Sequence, residues 1–405
     1  MNRIKKANFY VERYSVSEGE LILDFIFENE FIFFRNRGDY TNTMQLYQYE
    51  PSMILVHNIK LDISIHEGDI ISVDMERVFE LQFRYLYEES ETNVIGFEIS
   101  DSNHFFKQII ESDSTHIIKY ISKNNYYSIK ETWKDGKPCA LENLSNNIHI
   151  TTADIGQGNF NLIMDDNKNL TCFDFGVSLY FSKRKCKQIC ENFNSLFDNA
   201  DKITLIISHW DSDHYNLLNA VKDEFLQRIC CVFVPRNLIT LTAKQIAKRL
   251  ESLCPNITAI DCPVRKSKGV VGIHPYCEGK HYTLYAGETS MNINKSGLAL
   301  SVFGDKDALI LSADHTNNQI WSCIYTDISR KLDRGKIHII IPHHGGYCGK
   351  ILAPSFDLKP GIAVISVGKN PHKHPVQSVI DDYLRMGFLI KRTDWERDNI
   401  VIDLA

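Results

Sequence analysis

Within six residues, His209, Asp211, Asp213 and His214 supply two imidazoles and two carboxylates. This stretch, HWDSDH, follows directly on the mostly apolar residues 203–207. A buried strand ending in such a loop holds the side chains rigidly while their tips face a cleft. In an extended or turning loop, residues 209, 211 and 213 project together and 214 the other way. Nitrogen and oxygen donors at this density suit a pair of cations a few ångströms apart, an arrangement used for in-line hydrolysis. Asp213 could instead merely cap the helix that follows. Four metal-capable side chains in six residues weigh against so bland a role.

Further chemistry-bearing residues lie downstream. Asp314 ends the apolar run LILSAD, beside His315. A carboxylate there could bridge two cations or cap the next helix. His343 and His344 follow the apolar run IHIIIP and precede two glycines, which leaves the imidazoles open to close backbone approach. His374, in KHPVQ, stands at the entry to a helix, and His274, in GIHPY, reads as a strand-end histidine. Asp154, beside GQG, and Asp174, in FDFG, are read as outer carboxylates that orient ligand histidines and hold the HWDSDH loop.

Alternating short strands and helices position these residues. From about residue 148, the pieces IHITTADIG, FNLIMD, LTCFDFG, KITLIIS, CCVFVP, ITAID, LALSVFG, DALILSAD, KIHIIIP and GIAVISVG read as strands. KCKQICENFNSLFDNA, LTAKQIAKRLESL, TNNQIWSCIYTDI and VQSVIDDYLRMGF read as helices, and LIKRTD and DNIVIDL as closing strands. Strands mixed with helices predict layered α/β packing with helices outside sheets. Residues 1–145 read instead as a strand-rich module, a sandwich or barrel, with FIFFR among the strands and one helix at FFKQIIES. The polar stretch 130–147 is the expected boundary, giving domains 1–145 and 148–405. No catalytic constellation stands out in the first.

Composition narrows the classes. The chain has 405 residues, a net charge of −6 and a pI near 6.2, so no strong global field draws nucleic acid or anionic membrane. The densest basic cluster, Lys183, Arg184, Lys185 and Lys187, reads as a solvated helix face. Eleven cysteines show no CxxC pair, and scattered single cysteines suit a reducing cytoplasm. Neither a signal peptide nor a membrane helix is expected.

The HWDSDH motif resembles the HxHxDH of the metallo-β-lactamase fold, with Asp211 where a second histidine usually sits. That variant is similar to the soluble hydrolase domain of the ComEC competence family. Other segments follow in the family's order: ADIGQGNFNLI, FDFG, GIHPY, NKSGLAL, LILSAD, IIIPHHGG and AVISVGKNPHKHP. Together they cover roughly residues 148–405. The chain departs from the pattern at Gly297 and Ala313, in Asn216-Leu217-Leu218, and in lacking a third histidine for the first cation.

The resemblance implies an αββα sandwich and two divalent ions, manganese or zinc. Asp211 adds oxygen ligation and so favours manganese more than a three-histidine site would. His209, Asp211 and Asp314 would hold one ion. Asp213, His214, Asp314 and one of His343 or His344, with His344 preferred, would hold the other. His374, or whichever of His343 and His344 is not a ligand, would contact substrate. The implied reaction is phosphodiester hydrolysis, with nuclease favoured, by a hydroxide shared between the ions. The substrate would be nucleic acid or nucleotide-like. Two alternatives remain: hydrolysis of a small ester or lactone, and a regulatory subunit that binds a protein partner through the N-terminal module.

Overall fold

The computed structural model describes residues 6–15, 20–37, 53–56, 65–74, 83–85, 97–99, 127–132, 136–179, 181, 183–264, 271–290, 295–332, 334–351, 357–370 and 373–404. The expected helix at FFKQIIES lies outside them. The chain folds as two compact units. The smaller comprises residues 1–129, 180–183 and 237–249, and the larger the remainder. The division after residue 129 falls at the start of the polar stretch 130–147, and two internal segments join the smaller unit.

In the smaller unit, the described strands form a two-stranded pair, Tyr127–Ser128 with Asn237–Leu238, and a six-stranded sheet. Its order is Ile70–Asp74, Lys6–Ser15, Glu20–Phe25, Met53–Val56, Phe97–Ile99, Phe83–Tyr85. FIFFR is not a strand: it lies in the helix Glu28–Arg37. Glu28 and Glu30 sit in the first turn, where carboxylates complement the helix dipole. Buried Phe31 packs edge-on against Phe25 at 5.4 Å between ring centroids.

The larger unit is mixed α/β, with two seven-stranded sheets. The first runs Ile257–Ile260, Ile229–Pro235, Lys202–Ile206, Asn169–Phe173, Asn161–Asp165, Ile148–Thr152, Ile400–Leu404. The second runs Ile273–Glu278, Tyr282–Gly287, Leu298–Phe303, Asp307–Leu311, Lys336–Ile340, Lys359–Ile365, Leu389–Arg392. The two closing strands thus end up in different sheets. Three pairings in each sheet are parallel, and these lie on the side where the chemistry-bearing loops emerge.

Side-chain alternation separates the faces. Leu309 and Leu311 join Phe173, Ile206 and Phe233 in a core shared by both sheets. Ala308 and Ile310 point the other way, into a cluster with Trp321, Ile324 and Tyr383 on the covering helices. One of these begins at Thr316, whose hydroxyl caps it, and passes through a π-turn at Ile320–Ile324 before ending at Lys331. The helix Lys183–Asn199 leaves Arg184, Lys185 and Lys187 exposed, as the basic cluster required, and buries Phe193 and Phe197 against Phe160, Phe175 and Phe225.

Candidate metal centre

Each chemistry-bearing loop leaves the C-terminal end of a strand. His209–His214 follow Lys202–Ile206, and Asp174 follows Asn169–Phe173. Asp314 follows Asp307–Leu311, the His343–His344 pair follows Lys336–Ile340, and His374 lies beyond Lys359–Ile365. Turning the side chains inward at once after a strand demands unusual backbone. Asp174, Ala313, His343, His344 and Lys373 all have φ between 47° and 61°. Left-handed residues of this kind cost free energy and persist only where their surroundings hold them. Gly176 is needed for a different reason: a Cβ there would run into the Asp213 carbonyl. Gly346 similarly leaves room for the His343 and His374 rings on either side.

Three histidines share one design. The Asp174 carboxylate accepts the Ser208 amide at 2.6 Å, the Ser208 hydroxyl at 2.9 Å and His214 Nδ1–H at 2.8 Å. With its proton given to Asp174, the Ser208 oxygen accepts His209 Nδ1–H at 2.9 Å. His344 Nδ1–H donates to the Ser366 carbonyl at 2.8 Å. These partners fix the tautomer and leave each Nε2 lone pair directed at the cleft. The Nε2 atoms of His209 and His214 are buried and make no hydrogen bond among the described residues.

The carboxylates gather around those nitrogens. His209 Nε2 lies 3.2 Å from Asp211 Oδ2 and 3.9 Å from Asp314 Oδ2. His214 Nε2 lies 3.4 Å from Asp314 Oδ1 and 3.8 Å from Asp213 Oδ1. His344 Nε2 is 3.1 Å from Asp213 Oδ2, and His343 Nδ1 is 2.5 Å from Asp314 Oδ2. The ligating atoms of His209, His214 and Asp314 fall within 4.8 Å of one another, as do those of Asp213, His214 and His344. Buried imidazole nitrogens without a donor or acceptor, facing carboxylate oxygens, are the donor set a divalent cation requires. The residues fit the ions the resemblance implied.

Imidazoles and carboxylates offset one another's charge here. Burial alone would raise the Asp213 and Asp314 pKa values. Hydrogen bonds and positive charge from His344 and His214 at Asp213, and from His343 and His214 at Asp314, more than offset it and hold both carboxyls below the usual range. Burial would lower His214, but Asp174 and Asp314 hold it well above its usual value. His315, fully buried beside the site, is pushed down to about 4, first by burial and then by His209.

Two expected residues, Asp154 and His274, stand apart. Asp154 is exposed: its carboxyl takes a backbone hydrogen bond from Gly156 and faces Lys185, Asp394 and Asp398. The support foreseen for it is carried by Asp174. His274 is exposed and pairs with Glu288 at 3.1 Å. The His374 ring lies edge-on to His343 at 5.2 Å, and its backbone is clamped at both N–H and C=O by the Asn370 side chain. Ser208 and the Ser366 carbonyl had no role assigned from sequence. Ser208, directly preceding His209, was the one visible signal.

No protein-family model and no curated protein matches this sequence. Solved structures resemble it distantly. A CmlA β-hydroxylase mutant aligns over 65% of this chain at 13% identity and a TM-score of 0.34, and the match spans 55% of that enzyme's own length. Tm1679, described as a metal-dependent hydrolase of the β-lactamase superfamily, aligns over 64% of this chain and 99% of its own, at 12% identity and a TM-score of 0.35. The short form of human tRNase Z aligns over 63% of this chain and 99% of its own, at 10% identity and a TM-score of 0.34. Among the described residues, no helix is long and apolar enough to cross a membrane.

Proposed function

We propose that the larger unit is a metal-dependent hydrolase of the metallo-β-lactamase type that cleaves phosphodiesters, with nucleic acid or a nucleotide-like molecule as substrate. One observation carries the reading. His209, His214 and His344 have their Nδ1 atoms tied to fixed acceptors and their Nε2 atoms set among the carboxylates of Asp211, Asp213 and Asp314. Divalent cations, when bound, supply Lewis acidity toward phosphoryl oxygens and acidify a water. His209, Asp211 and Asp314 would hold one; Asp213, His214, Asp314 and His344 would hold the other.

The rest falls to the chain's own side chains. His343, 29% exposed and braced by Asp314, presents its outer edge beside His374. This pair donates hydrogen bonds to the phosphate oxygens and delivers a proton to the leaving group. Asp174 and Ser208 keep the ligand imidazoles oriented throughout. The phosphodiester preference draws on the ordered motifs of the ComEC-like resemblance.

The test is turnover of bis-p-nitrophenyl phosphate, single-stranded DNA and a lactone, with manganese, zinc or magnesium restored. Asp213→Ala should lose all turnover while its circular dichroism stays that of the parent. Unchanged activity would reject the site, and turnover of the lactone alone would reject the phosphodiester assignment.

A further inference from the structure

Three cysteines converge far from this centre. Cys230 and Cys231 open the strand Ile229–Pro235, at the end opposite the loops that carry the histidines, and Cys139 precedes the turn Leu141–Asn143. Their sulfur atoms all lie within 4.8 Å of one another. Cys139 and Cys230 are in disulfide contact, and Cys231 Sγ stands 3.0 Å from Cys139 Sγ. One thiol thus has two partners in reach, more than a single disulfide can use. The Cα atoms of Cys139 and Cys230 are 7.1 Å apart, beyond the roughly 4.4–6.8 Å that disulfides ordinarily span.

Two groups at Cys231 Sγ can donate to a thiolate. The Cys139 amide donates to Cys231 Sγ at 3.2 Å. The Thr204 hydroxyl, which accepts the Ala140 amide at 3.0 Å, lies 3.2 Å from the same sulfur and 3.4 Å from Cys139 Sγ, and its proton can serve either thiolate. Two donors aimed at one sulfur stabilise thiolate over thiol. Burial opposes this and raises the Cys231 pKa, so the anion needs a positive charge beside it. Soft thiolates select zinc(II) or copper(I).

We propose that, in the reduced chain, Cys139, Cys230 and Cys231 together bind one thiophilic cation. Each thiol gives up its proton on ligation, so uptake releases up to three protons to solvent. The site pins the segment ahead of the first strand of the larger unit to an interior strand of its sheet and is independent of the hydrolytic centre.

Cadmium titration of the full-length, reduced chain under anaerobic conditions tests this, after a thiol assay confirms all eleven cysteines free. One equivalent should raise thiolate-to-cadmium charge-transfer absorption, a signal that histidine and carboxylate ligands do not give. Cys139→Ser and Cys230→Ser, both at half-buried positions, should each abolish it, and so should Cys231→Ser if it folds. The pair Cys186→Ser and Cys190→Ser should leave it intact. Absence of the band in the reduced parent, or its survival in Cys139→Ser, would overturn the proposal. Metal analysis of the protein as purified then separates zinc from copper.

Discussion

In the smaller unit, Glu30 accepts hydrogen bonds from the Asn8 amide at 2.7 Å and the Asn8 side chain at 3.0 Å. Lys244 gives its ammonium to the Ile26 carbonyl at 2.8 Å, and Asp24 accepts the Thr242 amide. Every one of these buried groups ends on a donor or acceptor the chain itself provides. In the larger unit, burial is as deep, yet His209 and His214 turn bare nitrogens toward carboxylates held anionic by neighbouring imidazoles. A protein that wanted only stability would complete those bonds internally. The contrast teaches that depth of burial does not mark a site. What marks it is that supporting hydrogen bonds are complete on one side of each ring and missing on the other.

The sharpest way to break this contrast is to remove a central carboxylate. Asp314→Asn should bring hydrolysis down to the blank and lower the bound metal measured by elemental analysis. Full occupancy with full activity would mean that the cluster is merely structural. Next comes the support. Asp174→Asn leaves the ligands in place but loses the acceptor for His214 Nδ1–H, and metal affinity should fall about 10–100-fold by competition with a chelating dye.

Chelation separates the units directly. At cation concentrations near 100 times Kd, stripping the metal should cost the larger unit about 2.7 kcal/mol in denaturant unfolding. Hydrogen exchange in the smaller unit should not change.

Glu30 supplies a pH test of the self-contained region. Burial pushes its pKa up to about 7 against an ordinary 4.5. The folded form binds the proton more tightly than the unfolded chain does. Stability of the smaller unit is therefore greatest below about pH 4.5 and declines as pH rises toward 7, by up to about 3 kcal/mol, then levels off. Glu30→Gln should flatten that dependence between pH 5 and 8 in thermal melts; an unchanged slope would assign it elsewhere. The smallest effect is expected at Lys244, whose pKa burial lowers to about 8. Lys244→Met exchanges one hydrogen bond for apolar packing and should shift stability by about 1 kcal/mol or less.

The parts of the centre legible in sequence were those written contiguously. HWDSDH and the His343–His344 pair announce themselves because strand ends deliver neighbouring residues to one place. The supports were less visible. The Ser366 carbonyl has no residue signature at all, and Ser208 matters only because its hydroxyl bridges Asp174 and His209. Asp154 sits beside a GQG turn that reads as a site loop, while in the fold its carboxyl faces Lys185, Asp394 and Asp398. The layered α/β pattern was readable from periodicity. FIFFR was not: its aromatics favour a strand, but Phe31 is wanted beneath Phe25 and the acidic turn before it starts a helix. The assignment of residues 237–249 to the smaller unit depends on contacts between segments more than a hundred residues apart, which a linear reading does not reach.

Asp314 is the one side chain common to the two proposed ligand sets, with Oδ2 toward His209 and Oδ1 toward His214. Filling the centre would therefore not be two separate loadings. The first ion to arrive would fix a carboxylate that the second also needs, while its charge would repel the newcomer across a few ångströms. An occupancy isotherm for this chain should require two macroscopic constants that belong to the pair, and replacing Asp314 should alter both at once.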